Sequence, residues 1–101
     1  MEVPSEFVRL GFNTLFAFDQ GFSSDEEFAK LVFEGLDGGR RKTLLEFLNR
    51  VLDGRYDDGQ IEKLWSDTGT DYAFFRPGDT RHYLLAIQDE LERQGQIGET
   101  A

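Results

Sequence analysis

The sequence has 101 residues, with 11 Lys+Arg against 20 Asp+Glu, so the formal net charge is -9 and the sequence pI about 4.4. That length implies one domain burying roughly 60–70% of its unfolded surface, and 39% apolar residues with ten Phe exclude a disordered acidic tail. The absence of Cys excludes disulfides, thiolate catalysis and Cys-ligated zinc, and the acid excess argues against direct nucleic-acid binding, which needs a basic footprint.

The first predicted helix runs from about Ser5 to Phe18, with Phe7, Leu10, Thr14, Leu15 and Phe18 on one face. Pro4 suits its start, where a missing N–H costs nothing, and Gly11 weakens it. The second opens on Ser24-Asp25-Glu26-Glu27, a capping box in which the Ser24 hydroxyl and the Glu27 carboxylate are expected to satisfy each other's backbone N–H groups. Its apolar face is Phe28, Leu31, Val32 and Leu36. The third covers about Arg40 to Asp53, with Leu44, Leu45, Phe47, Leu48, Val51 and Leu52 inward and Gly54 placed for a left-handed cap. Arg40-Arg41-Lys42 sits oddly at its start, where positive charge opposes the helix dipole.

Asp57-Asp58 signals a short fourth helix through Ile61, Leu64 and Trp65 to a stop at Gly69. Residues 71–79 then read as an ordered Tyr/Phe/Pro-Gly loop, Tyr72-Ala73-Phe74 leaving room for a short extended piece. Phe74 and Phe75 either seal the core or form an exposed patch. The last helix begins at Asp79 or Thr80 and turns Leu84, Ile87 and Leu91 inward. The tail 94–101 is polar and expected to fray. The expected fold is therefore all-α: a compact single domain, 1–101, of about five short helices with its core in about 5–93. No basic leader or apolar run of about 20 residues is present, so a cytoplasmic protein with no membrane contact is expected.

Signs of catalysis are thin. Asp67-Thr68-Gly69 is the tripeptide of aspartic proteases, but their catalytic turn lies between strands and here it follows a helical stripe. Asp25-Glu26-Glu27, Asp57-Asp58 and Asp89-Glu90-Glu92 could hold a cation or exchange protons, yet no metal-ligand spacing is recognisable, and acids at helix starts explain the first two groups. His82 has no nucleophile or acid set around it. Gly35-Leu36-Asp37-Gly38-Gly39-Arg40 lacks the Lys-Ser/Thr of a phosphate loop. The expectation is a non-enzyme with no cofactor and no metal.

The charge is unevenly spread. Residues 19–37 hold six acids against Lys30, and residues 57–71 hold five against Lys63, so these two segments carry the whole net charge. Between them, 40–55 has five basic residues against Glu46 and Asp53. Such acidic segments either keep a protein soluble or steer a basic partner onto it. Tyr beside acid is the composition of a hot spot for Lys/Arg clusters. The candidate partner-binding residues are Asp25, Glu26, Tyr56, Asp57, Asp58, Asp67, Asp71 and Tyr72.

The order of features resembles the small all-helical immunity proteins of bacterial contact-dependent growth inhibition. The resemblance covers about residues 7–93. It rests on Phe16-Ala17-Phe18-Asp19-Gln20-Gly21-Phe22 after the first helix, the acidic start Ser24-Asp25-Glu26-Glu27, and Leu64-Trp65-Ser66-Asp67-Thr68-Gly69-Thr70-Asp71-Tyr72 leading into the Pro-Gly loop. It implies a protein that binds and neutralises a cognate toxin, often a nuclease; the charge pattern adds the expectation that acidic surface covers a basic cleft. No contact residue carries over by motif, so the site rests on the charge pattern. The alternative expectation is a regulatory or scaffold domain that binds a protein through an apolar groove between helices. The sequence leaves the oligomeric state open.

Overall fold

The computed structural model describes residues 3–68 and 78–100, with side chains through Gln94. Its five α-helices are α1 (Ser5–Gln20), α2 (Asp25–Val32), α3 (Gly38–Val51), α4 (Asp58–Ser66) and α5 (Asp79–Thr100). There is no strand among the described residues, and the expected all-α architecture is what the chain adopts. α1 packs on α2 and α3, while α5 packs on α3 and α4, so α1 and α5 hold the shorter helices together. The expected loop, including Phe74 and Phe75, lies mostly outside the described residues.

Phe7, Phe47 and Trp65 occupy the centre, with Phe7 4.9 Å from Phe47 and 6.0 Å from Trp65 between ring centroids. Leu10, Val32, Phe33, Leu44, Leu48, Val51, Ile61, Leu84, Ile87 and Leu91 complete the core. Each large side chain buried here contributes roughly 1.5–3 kcal/mol before chain entropy is counted. Thr14 is the polar exception. Its hydroxyl donates to the Leu10 carbonyl at 2.7 Å, so the 2.7 Å contact with the Tyr83 hydroxyl has Tyr83 as donor. One hydrogen bond thereby ties α1 to α5 inside the core.

Three local expectations are corrected. On α1 the inward face is Phe7, Leu10, Gly11, Thr14 and Ala17, while Leu15 is half-buried and Phe18 is exposed. Ala17 falls one turn on from Thr14 at the helical step, which rotates Phe18 to the margin. At Ser24 the hydroxyl does accept the Glu27 N–H at 3.1 Å, but the Glu27 carboxylate reaches one residue further back and accepts from the N–H and hydroxyl of Ser23. The polar tail expected to fray from residue 94 instead continues α5 through Thr100. Gln94 is held there by Arg41, whose Nη1 donates to its Oε1 at 2.9 Å.

The turn from α2 to α3 explains the odd basic run. α2 ends at Val32, and Gly35, at φ +79°, reverses the chain before Asp37 caps α3 by accepting the Arg40 N–H at 2.9 Å. Such a turn leaves carbonyls without helical partners. Asn13 of α1 donates to the carbonyls of Val32 and Glu34, both at 2.9 Å. Arg40 donates to Gly35 O at 3.3 Å, and Arg41 Nε to Leu36 O at 2.8 Å. The cations at the start of α3 therefore serve the C-terminal end of α2, where the dipole favours them. Arg41 also lies over the Phe33 ring, 5.5 Å from its centroid.

Candidate functional site

The candidate binding residues meet different fates. Asp57 is the N-cap of α4: its carboxylate accepts the Gln60 N–H at 2.8 Å while Gln60 Oε1 accepts the Asp57 N–H at 2.9 Å, a complete capping box. Asp58 accepts from Arg81 Nε of α5 at 2.6 Å, and the same guanidinium donates to the Tyr56 carbonyl. Tyr56 is half-buried against the core. Asp67 caps the end of α4 and pairs loosely with Lys63 at 3.4 Å, both exposed. Asp71 and Tyr72 lie outside the described residues.

Asp25 and Glu26 differ from these. They stand exposed in the first turn of α2, and neither has a hydrogen bond or ion pair among the described residues. Glu27 beside them is held below the ordinary carboxylate range, chiefly by the hydrogen bond from the Ser23 hydroxyl and then by the Ser23 N–H, with Lys30 adding to it. The two acidic segments also have different main neighbours, α2 packing chiefly on α1 and α4 on α5.

Between α2 and α5 runs an open groove of about 340 Å³. Phe28, Ala29, Val32 and Phe33 from α2 and Tyr83, Ala86 and Ile87 from α5 form its apolar walls. Its rim is Asp25 on one side and Asp89, Glu90 and Arg93 on the other. Glu90 is already paired with Arg93 and accepts from Gln94, whereas exposed Asp89 has no partner among the described residues. An adjoining cleft brings in Glu26, Lys30 and Arg41. The groove thus brings Asp25 to the same opening as Asp89, 64 positions on in the sequence, with Glu26 beside Asp25 in the adjoining cleft. Only the packing of α2 against α5 reveals this grouping.

A second surface was not legible as a site. Phe12 and Phe16, one turn apart on α1, are 50% and 52% exposed. The signal was available: both fall outside the Phe7, Leu10, Thr14 stripe. Phe18 and Phe22 are partly exposed as well, but they stack on each other and on Phe28, with centroids 4.6–5.8 Å apart.

The catalytic motifs lie in helical surroundings. Asp67 follows a helix, and the buried Thr68 donates its hydroxyl to Trp65 O at 2.7 Å. His82 is exposed on the first turns of α5. Among the described residues no group of three or more His, Cys, Asp or Glu could hold a metal ion, and no helix is long and apolar enough to cross a membrane.

Comparison with protein-family models, with curated proteins and with solved structures returns no match. Fold and surface together define a class: an acidic all-α domain with an apolar groove rimmed by carboxylates.

Proposed function

We propose that this chain is an immunity-type protein that binds a protein toxin through a basic surface and blocks it. The α2–α5 groove carries the reading, because its apolar walls lie beside three carboxylates, Asp25, Glu26 and Asp89, that the fold itself does not use. Apolar side chains of the toxin sit against Phe28, Ala29 and Ile87, while Lys or Arg residues reach the rim. In a nuclease those cations would otherwise hold substrate phosphates, so occupying them removes the substrate's electrostatic site. Asp57, Asp58 and Asp67 contribute to the long-range field rather than to contacts. The resemblance to immunity proteins of contact-dependent growth inhibition points the same way.

Co-expression with the product of an adjoining gene, chosen because it is toxic when expressed alone, tests the proposal. Cells survive with the wild type and die with the Asp25→Lys/Glu26→Lys/Asp89→Lys variant, although circular dichroism shows the variant folded. Equal survival with both chains contradicts the acidic-rim mechanism, and death with the wild type contradicts the function. The same groove supports a second reading, a regulatory or scaffold domain docking a partner by apolar contact alone. Salt separates the two. Acid-steered association slows strongly between about 50 and about 500 mM salt, whereas apolar docking does not.

A further inference from the structure

The turn between α2 and α3 gathers two cations on one glycine. Gly35 is exposed at φ +79°, and a Cβ there would lie 2.5 Å from Arg9 Nη2, so the missing side chain is what lets the Arg9 guanidinium lie across the turn. Arg40 Nη1 donates to the carbonyl of the same residue at 3.3 Å. Sharing one residue keeps the two guanidiniums within about 9 Å of each other, close enough to repel at moderate salt. Among the described residues neither arginine forms an ion pair, and the Arg9 side chain makes no hydrogen bond. Two arginines brought together without a paired carboxylate, in a chain with 20 acids, leave a place for an anion from outside.

Both arginines line one open hollow of about 350 Å³, set between α1 and the start of α3. Its apolar wall is Val8, Phe12 and Leu36, with Phe12 50% exposed. Glu6 is the carboxylate that lines it among the described residues, and its Oε2 accepts the Ser5 hydroxyl at 3.1 Å rather than an arginine N–H. Two guanidiniums against one carboxylate leave the lining a single positive charge in excess. A monoanion therefore brings it to neutrality, where a phosphate dianion would overshoot. The planar fork of a guanidinium matches a carboxylate in particular. The apolar wall beside the forks fixes the rest of the ligand, which must carry hydrocarbon next to its charge. None of these residues lines the α2–α5 groove, so the hollow is independent of the toxin reading.

We propose that this hollow binds a small amphiphilic monocarboxylate of the fatty-acid type, its carboxylate held by Arg9 and Arg40 and its alkyl chain laid on Val8, Phe12 and Leu36. The volume sits at the lower end of those that hold small ligands, and an open hollow leaves part of the chain in water, so the affinity is millimolar.

Titration of the isotope-labelled full chain with sodium octanoate, followed by NMR at low salt, tests it directly. The side-chain Nε–Hε signals of Arg9 and Arg40 and the Phe12 ring signals should shift together and saturate. Acetate, which has the head without the tail, should bind there at least about tenfold more weakly. Octylammonium, which has a similar tail and the opposite charge, should not shift the two arginines. Arg9→Gln/Arg40→Gln should weaken octanoate about tenfold with its helical circular dichroism intact. Arg9→Lys/Arg40→Lys, which keeps the charge and loses the forks, should fall between that variant and the wild type. Phe12→Ser should bring octanoate towards the level of acetate. Arginine signals that do not saturate by about 20 mM octanoate overturn the proposal. So does equal binding by the double glutamine variant, acetate binding as tightly as octanoate, or octanoate shifts spread equally over the α2–α5 groove.

Discussion

Both α2 and α4 begin on a side-chain-capped turn that carries acid, three residues of it in α2 and Asp58 alone in α4. Ser24 caps the Asp25-Glu26-Glu27 turn by accepting the Glu27 N–H, and Asp57 caps the Asp58-Gly59-Gln60 turn by accepting the Gln60 N–H. Their surroundings separate them. At α4, Arg81 arrives from α5 and binds both the Asp58 carboxylate and the Tyr56 carbonyl. Gly78, at φ +89°, brings the chain into α5 so close that a Cβ there would lie 3.3 Å from Asp58 Oδ2. At α2, Lys30, Arg41 and Arg93 line the same clefts, but among the described residues none forms an ion pair with Asp25 or Glu26. Acid at a helix start thus has two uses, and a distant arginine decides between them: the α4 turn is part of the fold and the α2 turn is available surface.

This contrast can be broken by substitution, and the largest effect belongs to Arg81→Ala. It removes two charge-assisted hydrogen bonds and should cost roughly 2 kcal/mol, on the order of 10 °C in melting temperature, by denaturant and thermal unfolding. Asp57→Ala comes next, losing a helix cap for about 1 kcal/mol in the same assays. Asp25→Asn/Glu26→Gln should change stability by no more than about 0.5 kcal/mol, since only the dipole interaction of an exposed turn is lost.

The smallest effect is a pH dependence at Glu27. Its folded pKa lies below the unfolded one, so the folded state binds fewer protons there. The stabilisation is fully present above the ordinary glutamate value of about 4.3 and is lost as pH falls through the lowered folded value. Unfolding midpoints followed from neutral to acid pH should therefore fall slightly less steeply in Glu27→Gln than in the wild type. Equal slopes would mean that the Ser23 hydrogen bonds do not hold in solution.

What the sequence revealed and what it hid divide along the same line. The five helices and most of their inward faces were legible because apolar spacing and caps are local: Leu84, Ile87 and Leu91 face inward as the period demands, and Asp57 caps as its position predicts. The role of Arg40 and Arg41 was hidden because their acceptors are carbonyls of the preceding turn, visible only after the chain reverses at Gly35. The grouping of Asp25 with Asp89 was hidden because it requires α2 against α5. Phe12 was hidden for a geometric reason: an inner stripe that takes in Leu15 and Phe18 is rotated slightly from the face that α1 buries, so the outer face does not stand out.

Association rates with the toxin domain, measured side by side for two variants of equal charge change, test the central claim most directly. Asp25→Asn/Glu26→Gln and Asp57→Asn/Asp58→Asn each remove two carboxylates, and Asn at position 57 still caps α4. At low salt the first variant should associate about tenfold more slowly than the wild type, and the second within about twofold of it. Equal slowing by both would reduce the acidic surface to net charge alone, and slowing confined to the α4 pair would place the interface at the other helix start.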